Sequence, residues 1–308
     1  MIIIMKHLLS MAALMAPLSV SCQQYFPKQI PAGHYSGITS VGNDCFAVVD
    51  DKALEDGFYV FRLPIDSEKL RIMEAENLGY HSSGFPNRDM ESICFCPTSQ
   101  TLFVSGEEDN EVYEYTLEGK RTGRRLAMPA EYGRARGNFG LEALTYDDFS
   151  HQFFVTTERP LRGDSLLRIQ AFGEDLQPTS QYLYRPDKPI SRKYYQGVSE
   201  MCSTGDGHLL VMECQTRVPR LKLFARTVIR IYEVDLPSGS GGFPPDGNAQ
   251  LLEKRLLKEF STRLTLFGRK FAIYEGICRL SPGRYLLIAD SQGRYKNVLR
   301  DWLLLLDI

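Results

Sequence analysis

The chain has 308 residues, 43% apolar and 24% charged, with 36 Lys and Arg against 38 Asp and Glu. That near-neutral balance excludes a nucleic-acid binder driven by bulk positive charge, and 17 Phe with 16 Tyr supply too much core material for a disordered chain. Only five His are present, one of them in the first ten residues, which weakens any zinc reading.

The chain opens on a targeting pattern. Lys6 and His7 give a thin basic start, Leu8 to Leu18 an apolar run, and Ser19-Val20-Ser21 leads into Cys22. A small residue before a cysteine, directly after a short apolar core, resembles a bacterial lipoprotein signal. Ser19 departs from the leucine usual at its position. The run is too short to cross a bilayer comfortably, which takes about 20 residues. We therefore expect a signal over residues 1–21, lipidation at Cys22, and one domain over 22–308. That domain would be periplasmic or on the cell surface, held to the membrane by lipid. Ordinary secretory cleavage and an uncleaved anchor are the alternatives.

Six further cysteines follow: Cys45, Cys94, Cys96, Cys202, Cys214 and Cys278. An exported address permits disulfides, with Cys202 and Cys214 the first pair to test. All six lie in apolar strand-like runs, where a cysteine serves as a small hydrophobe. No C-x-x-C pair points to a zinc ribbon.

A repeat then runs through the chain. Five segments align: Tyr35-Ser36-Gly37-Ile38-Thr39, Met90-Glu91-Ser92-Ile93-Cys94, Leu141-Glu142-Ala143-Leu144-Thr145, Ser199-Glu200-Met201-Cys202 and Tyr274-Glu275-Gly276-Ile277-Cys278. Each opens a short apolar run and meets a turn rich in Gly, Asp, Ser or Pro. A second strand follows and ends on an acid, namely Asp50, Glu107 (one residue displaced), Glu158, Glu213 or Asp290. Third strands are expected at Phe58 to Leu63, Glu111 to Leu117, Leu166 to Ala171, Val228 to Val234 and Leu303 to Ile308. Fourth strands are expected at segments such as Leu70 to Leu78 and Leu251 to Phe260. Steps of 55, 51, 58 and 75 residues separate Ser36, Glu91, Glu142, Glu200 and Glu275. A period near 50 with four short strands predicts an all-β protein, a β-propeller of five blades, or six if the interval 200–275 holds extra strands. Gln24 to Ala32 would supply the last blade's missing strand and close the ring. A β-sandwich is the competing fold. Gly239 to Gly247 reads as a flexible insertion.

Propeller geometry turns the repeat into a site. The start of a blade's innermost strand lies beside the end of its second strand, so the recurring acids converge on one channel mouth. The expected neighbours are Glu91 with Glu107, Glu142 with Glu158, Glu200 with Glu213, and Glu275 with Asp290. The first unit offers Ser36 with Asp50. Two carboxylates about 4 Å apart repel by about 4 kcal/mol at an effective dielectric of about 20, so protons, arginines or a cation must compensate them. Oxygen-only ligands suit a hard cation, calcium best. The metal candidates are Glu91, Glu142, Glu158, Glu200, Glu213, Glu275 and Asp290. Strand-end acids paired with Arg are the structural alternative. Loops on the same face are basic: Arg88, Arg134, Arg136, Arg192, Lys193, Arg269 and Lys270 between blades, and Arg159, Arg162, Arg217, Arg220, Lys222, Arg294 and Lys296 within them. An acidic floor with a basic rim suits a small anionic substrate, with Arg136, Arg159, Arg217 and Arg294 as its ligands. Aromatics on these loops, among them Phe139, Tyr195 and Phe267, suit a sugar site and plain loop packing equally.

Asn138-Phe139-Gly140-Leu141-Glu142-Ala143-Leu144, Gly197-Val198-Ser199-Glu200, Tyr274-Glu275-Gly276-Ile277 and Thr156-Thr157-Glu158-Arg159 resemble the Gly/Glu motifs of the phytase-like family, named for an esterase-like activity of phytase. The resemblance spans roughly residues 34–308 and implies an exported propeller. A more distant likeness to calcium-dependent propeller phytases implies phosphate-ester hydrolysis with bridging calcium ions, although this chain lacks their extended Asp-rich runs.

No G-x-S-x-G elbow, G-x-G-x-x-G loop or G-K-[ST] loop is present, which removes serine hydrolases of that class and nucleotide cofactors. Three readings follow. The first is a calcium-assisted phosphoesterase with Glu142 or Glu200 as base. The second is a glycan-active propeller using paired carboxylates. The third is a non-catalytic binding or scaffold propeller whose acids are structural. None involves nucleic acid.

Overall fold

The computed structural model describes residues 23–220, 223–237, 249–266, 268 and 270–308. The expected signal, Cys22, the Gly239–Gly247 insertion, Lys222, Phe267 and Arg269 lie outside the described residues. The fold is a five-bladed β-propeller with no α-helix among the described residues. The innermost strands are Tyr35–Gly42, Met90–Cys96, Leu141–Asp147, Tyr195–Ser203 and Ile273–Ser281. Each packs against the next, and the fifth packs against the first, so the ring is closed.

Strands are buried on both faces because each blade is sandwiched between two others. Five apolar clusters fill the five seams. Phe103 of the second blade meets Phe153 of the third with ring centroids 4.4 Å apart. Each such buried side chain contributes about 1.5–3 kcal/mol. Turn chemistry fixes the registers. Asn43 and Asp44, both at positive φ, make a two-residue hairpin between Gly42 and Cys45. Pro282 and Gly283 do the same between Ser281 and Arg284.

The third strands fall at Glu55–Arg62, Glu111–Tyr115, Leu167–Gly173, Arg226–Asp235 and Leu303–Asp307, on or within a few residues of the expected runs. The outer strands differ. The first blade ends on Glu76–Pro86, while Arg71–Ile72 pairs with Ile65–Asp66 in a separate small hairpin. The fourth blade ends on Lys254–Arg263. These edges are mostly exposed, so apolar pattern does not mark them. Ring closure uses Gln23–Gln24 alone, paired with Leu303 and Leu304. From Phe26 the chain turns, with Ile30 N donating to Phe26 O at 2.9 Å. Gln250–Leu251, between the third and fourth strands of blade four, crosses to pair in parallel with Pro178–Tyr184 at the edge of blade three.

All six described cysteines are free. Cys202 lies opposite Leu210 and Cys214 opposite Gly197, far along the same sheet from each other, so the Cys202–Cys214 pairing is not made.

Candidate active site

The same irregularity recurs in every innermost strand, at its start in four blades and at mid-strand in blade four. A β-bulge sets the pairing off by one, at Ser36, Glu91 with Ser92, Glu142, Ser199 and Glu275. A bulge re-aims its extra residue, here into the channel mouth. The residue across from it ends or directly follows the second strand in four blades, as Asp51, Glu107, Glu158 and Asp290 in blades one, two, three and five; in blade four it is Cys214, inside a second strand that runs on to Arg217. In the first blade the mouth therefore receives Asp51, where Asp50 was expected. Asp50 lies instead against Gly33 and takes the Lys52 amide at 3.0 Å.

Blade four breaks the pattern. Ser199 and Cys214 occupy its two mouth positions and contact each other at 3.2 Å. Glu200 falls one step inward, where the other blades carry Gly37, Ser92, Ala143 and Gly276. It is sealed at 1% exposure beneath the floor, accepting from Ser92 Oγ at 2.7 Å, Met201 N at 3.0 Å and Leu144 N at 3.2 Å. Burial holds its carboxyl well above the usual range. Glu213 faces the other way and binds the Tyr184 hydroxyl and Lys254 Nζ, both at 2.6 Å. Neither residue joins the cluster. Aligning on the apolar Val198 rather than on the first glutamate would have located this offset in the sequence.

The acids that do converge are Asp51, Asp89, Glu91, Glu107, Glu142, Glu158, Glu275 and Asp290. Burial raises Glu91, Glu142 and Glu275 well above the ordinary range, and each is pushed further by its carboxylate neighbours. Burial also pushes Glu158 up to about 7 against the pull of the Tyr195 hydroxyl and Arg159. Asp290 reaches about 7 through burial, despite a hydrogen bond from Gln292 N. Three of the set, Asp51, Asp89 and Glu91, bring carboxylate oxygens within 4.8 Å of one another. Lys52 binds both Asp51 and Asp89. His34 Nδ1 stands 3.8 Å from Asp51 and from Asp290. The cluster opens into a cleft of about 590 Å³ lined by Asp51, Lys52, Asp89, Glu107, Asn110 and Asn138. Asp51 Oδ1 and Asn110 Oδ1 are buried there without a hydrogen-bond partner.

Sequence reasoning missed Asp51, Asp89, Lys52 and Asn110. Only Asp51 carried a signal, the displacement already visible at Glu107.

The rim is only partly free. Arg294 is committed to Asp301 at 2.5 Å and to the carbonyl of Ile30 at 2.6 Å. Arg88 is buried with Asp56 and Asp109. Arg134 pairs with Asp164 at 3.2 Å. Arg159 lies between the rings of Phe139 and Tyr195, 4.2 Å from each, and Tyr195 donates to Glu158 at 2.7 Å. Those two aromatics thus hold an arginine at the cluster's edge. Arg136 is exposed on the loop whose Ala135, Gly137 and Asn138 line the cleft, and Arg217 is exposed above blade four.

A five-bladed ring with bulge-presented carboxylates at one mouth defines an acidic-channel propeller. Residues 30–292 match the model of the Phytase-like family, described as esterase-like activity of phytase, and the chain belongs to that family. No curated protein matches the chain. Among solved structures, virginiamycin B lyase from Staphylococcus aureus with quinupristin is similar at 12% identity and TM-score 0.43, covering 94% of this chain and 99% of that one. The Myceliophteria thermophila Cps50 (Swd1) β-propeller domain is similar at 10% identity and TM-score 0.42, covering 93% of this chain and 100% of that one.

Proposed function

We propose that this phytase-like propeller is an exported, lipid-anchored phosphoesterase assisted by calcium. The observation that carries the reading is the convergence of Asp51, Asp89 and Glu91, whose carboxylate oxygens lie within 4.8 Å of one another, with Asp51 Oδ1 buried and without a hydrogen-bond partner. An all-oxygen donor set fits a hard divalent cation, calcium best among the common ones. These three residues would hold it, and the neighbouring Glu275 and Asp290 add negative charge. When bound, calcium supplies charge neutralisation and polarisation of a phosphoryl oxygen.

The chain's own groups do the rest. Lys52 and Arg159 present positive charge to a phosphate in the cleft. Glu142, raised by burial and by its carboxylate neighbours, is ionised only once that neighbouring charge is neutralised, and it then receives the proton of the attacking water as the water oxygen bonds to phosphorus. The phosphorus–oxygen bond to the alcohol breaks, and the alcohol leaves with a proton from solvent. Export and anchoring are supported by the pattern ending at Cys22.

The test is release of phosphate from 4-nitrophenyl phosphate by the purified chain, with calcium and with chelator. Calcium-dependent turnover, lowered at least about a hundredfold by Glu142→Gln, supports the reading. Hydrolysis indifferent to both removes it. One feature favours the non-catalytic alternative: Lys52 already bridges Asp51 and Asp89. In that case the acids are held by an internal cation and no calcium response appears.

A further inference from the structure

Blade four, which contributes no acid to the mouth, carries an opposite feature above it. Arg217, Arg226 and Arg263 end its second, begin its third and end its fourth strand. Arg226 lies directly opposite both Arg217 and Arg263, so all three side chains share one face. Like charges directly opposed across strands are destabilising. Nothing in the described residues relieves them, for none of the three forms an ion pair there, and Arg226 Nε is buried without a partner. With Tyr194 they line a cavity of about 250 Å³.

That cavity shares Leu264 and Thr265 as a wall with a second one of about 660 Å³. The second is mostly apolar, through Leu223, Leu264, Phe271 and Leu299, with Arg220 and Lys296 also on its wall. Its volume suits a small molecule. Leu223 and Leu266 stand exposed at its edge, at 38% and 67%. It adjoins the acidic mouth, since Ile273 lines it and pairs with Asp290.

We propose that blade four holds a separate site for an anionic amphiphile of the monoalkyl phosphate class. The phosphate sits on the three arginines, whose planar forks match its oxygens with paired hydrogen bonds. The alkyl chain fills the adjoining apolar cavity. A phosphate dianion answers three unpaired guanidiniums better than a carboxylate does, and the cavity beside it rewards a hydrocarbon tail. The site is independent of whether the acidic mouth binds calcium.

The test is calorimetric titration of the full chain in chelator, which removes any contribution of calcium. Octyl phosphate below its micelle concentration, inorganic phosphate and octanol are compared. Octyl phosphate is expected to bind at least about tenfold more tightly than either of the others. The exposed double variant Arg217→Gln/Arg263→Gln should lose about tenfold or more toward octyl phosphate. Leu223→Ser/Leu266→Ser should weaken octyl phosphate and leave inorganic phosphate unchanged. Thermal melts check that each variant is folded. Octyl phosphate binding no tighter than inorganic phosphate, or indifferent to the arginine changes, overturns the proposal. So does binding to phosphatidylcholine vesicles containing phosphatidic acid with none to soluble octyl phosphate, which would make the patch a membrane surface.

Discussion

The Ser92 hydroxyl donates to Glu200 Oε2 at 2.7 Å and joins the innermost strands of the second and fourth blades across the ring axis. The same serine receives Leu144 N of the third blade at 3.1 Å. Three blades thus meet on one small polar knot beneath the acidic floor. Burial pushes the Glu200 carboxyl well above its usual range while the Ser92 hydroxyl and two backbone amides donate to it, so its task is to fasten strands.

Glu200→Gln should therefore change stability by less than about 1 kcal/mol, because an amide keeps both the shape and the hydrogen bonds. Glu200→Ala should cost about 2–4 kcal/mol through a cavity and unpaired donors. Urea unfolding measures both. A Glu200→Ala chain of normal stability that has lost its calcium response would place this residue in the site after all.

Calcium should raise the melting midpoint by mass action. Asp51→Asn and Glu91→Gln should each remove most of that rise, whereas Glu213→Gln should leave the rise intact while lowering the starting midpoint. Scanning fluorimetry at several calcium concentrations reads all three.

Without calcium, stability should fall as pH rises. Glu158 ordinarily titrates near 4.5 and Asp290 near 3.8, and burial takes both to about 7 in the folded chain. Between those values the folded state holds protons that the unfolded state has released. As pH climbs to 7, Glu158 therefore removes up to about 3 kcal/mol and Asp290 up to about 4 kcal/mol. Chemical denaturation in chelator from pH 4.5 to 8 should show the slope, and Glu158→Gln should flatten it. A chelated protein that grows more stable over this window contradicts the assignment.

Lys52 competes with a cation for Asp51 and Asp89. Lys52→Met should lower stability in chelator and strengthen the calcium response. An unaltered calcium affinity would mean that the cation binds elsewhere.

Asp56 tests a different part of the fold. It is fully buried and receives Arg121 at 2.6 Å and the Tyr115 hydroxyl at 2.6 Å, linking the first two blades. Asp56→Ala leaves buried guanidiniums uncompensated and should cost about 3–5 kcal/mol in urea unfolding.

The repeat was legible because seam packing demands apolar strands at a regular period, and turns such as Asn43-Asp44 and Pro282-Gly283 punctuate them. The outer strands were not, since Glu76–Pro86 and Lys254–Arg263 face water and carry no pattern to read. Within the site, Glu91, Glu142, Glu158, Glu275 and Asp290 were visible from their place in the repeat. Glu200 and Glu213 misled because each acid lies one residue from the mouth position, and in a strand a single step reverses the side chain's direction. Asp89 and Asn110 come from loops whose course depends on tertiary contacts.

All five seams are sewn as well as packed. Gln250–Leu251 leaves blade four to pair with blade three. Gln24, a strand of blade five, exchanges two 2.8 Å hydrogen bonds between its side-chain amide and the backbone of Ile72 beside blade one. A ring that breathes must part at its weakest junction. Side chains sew the other three: Asp56 to Arg121 between blades one and two, Glu107 to the Gly140 amide between two and three, and Thr262 to both backbone groups of Ala272 between four and five. The seams of blade two flank Glu91 and Glu107, so amide exchange faster there than elsewhere would mark the route by which solvent and small ions reach the buried carboxylates.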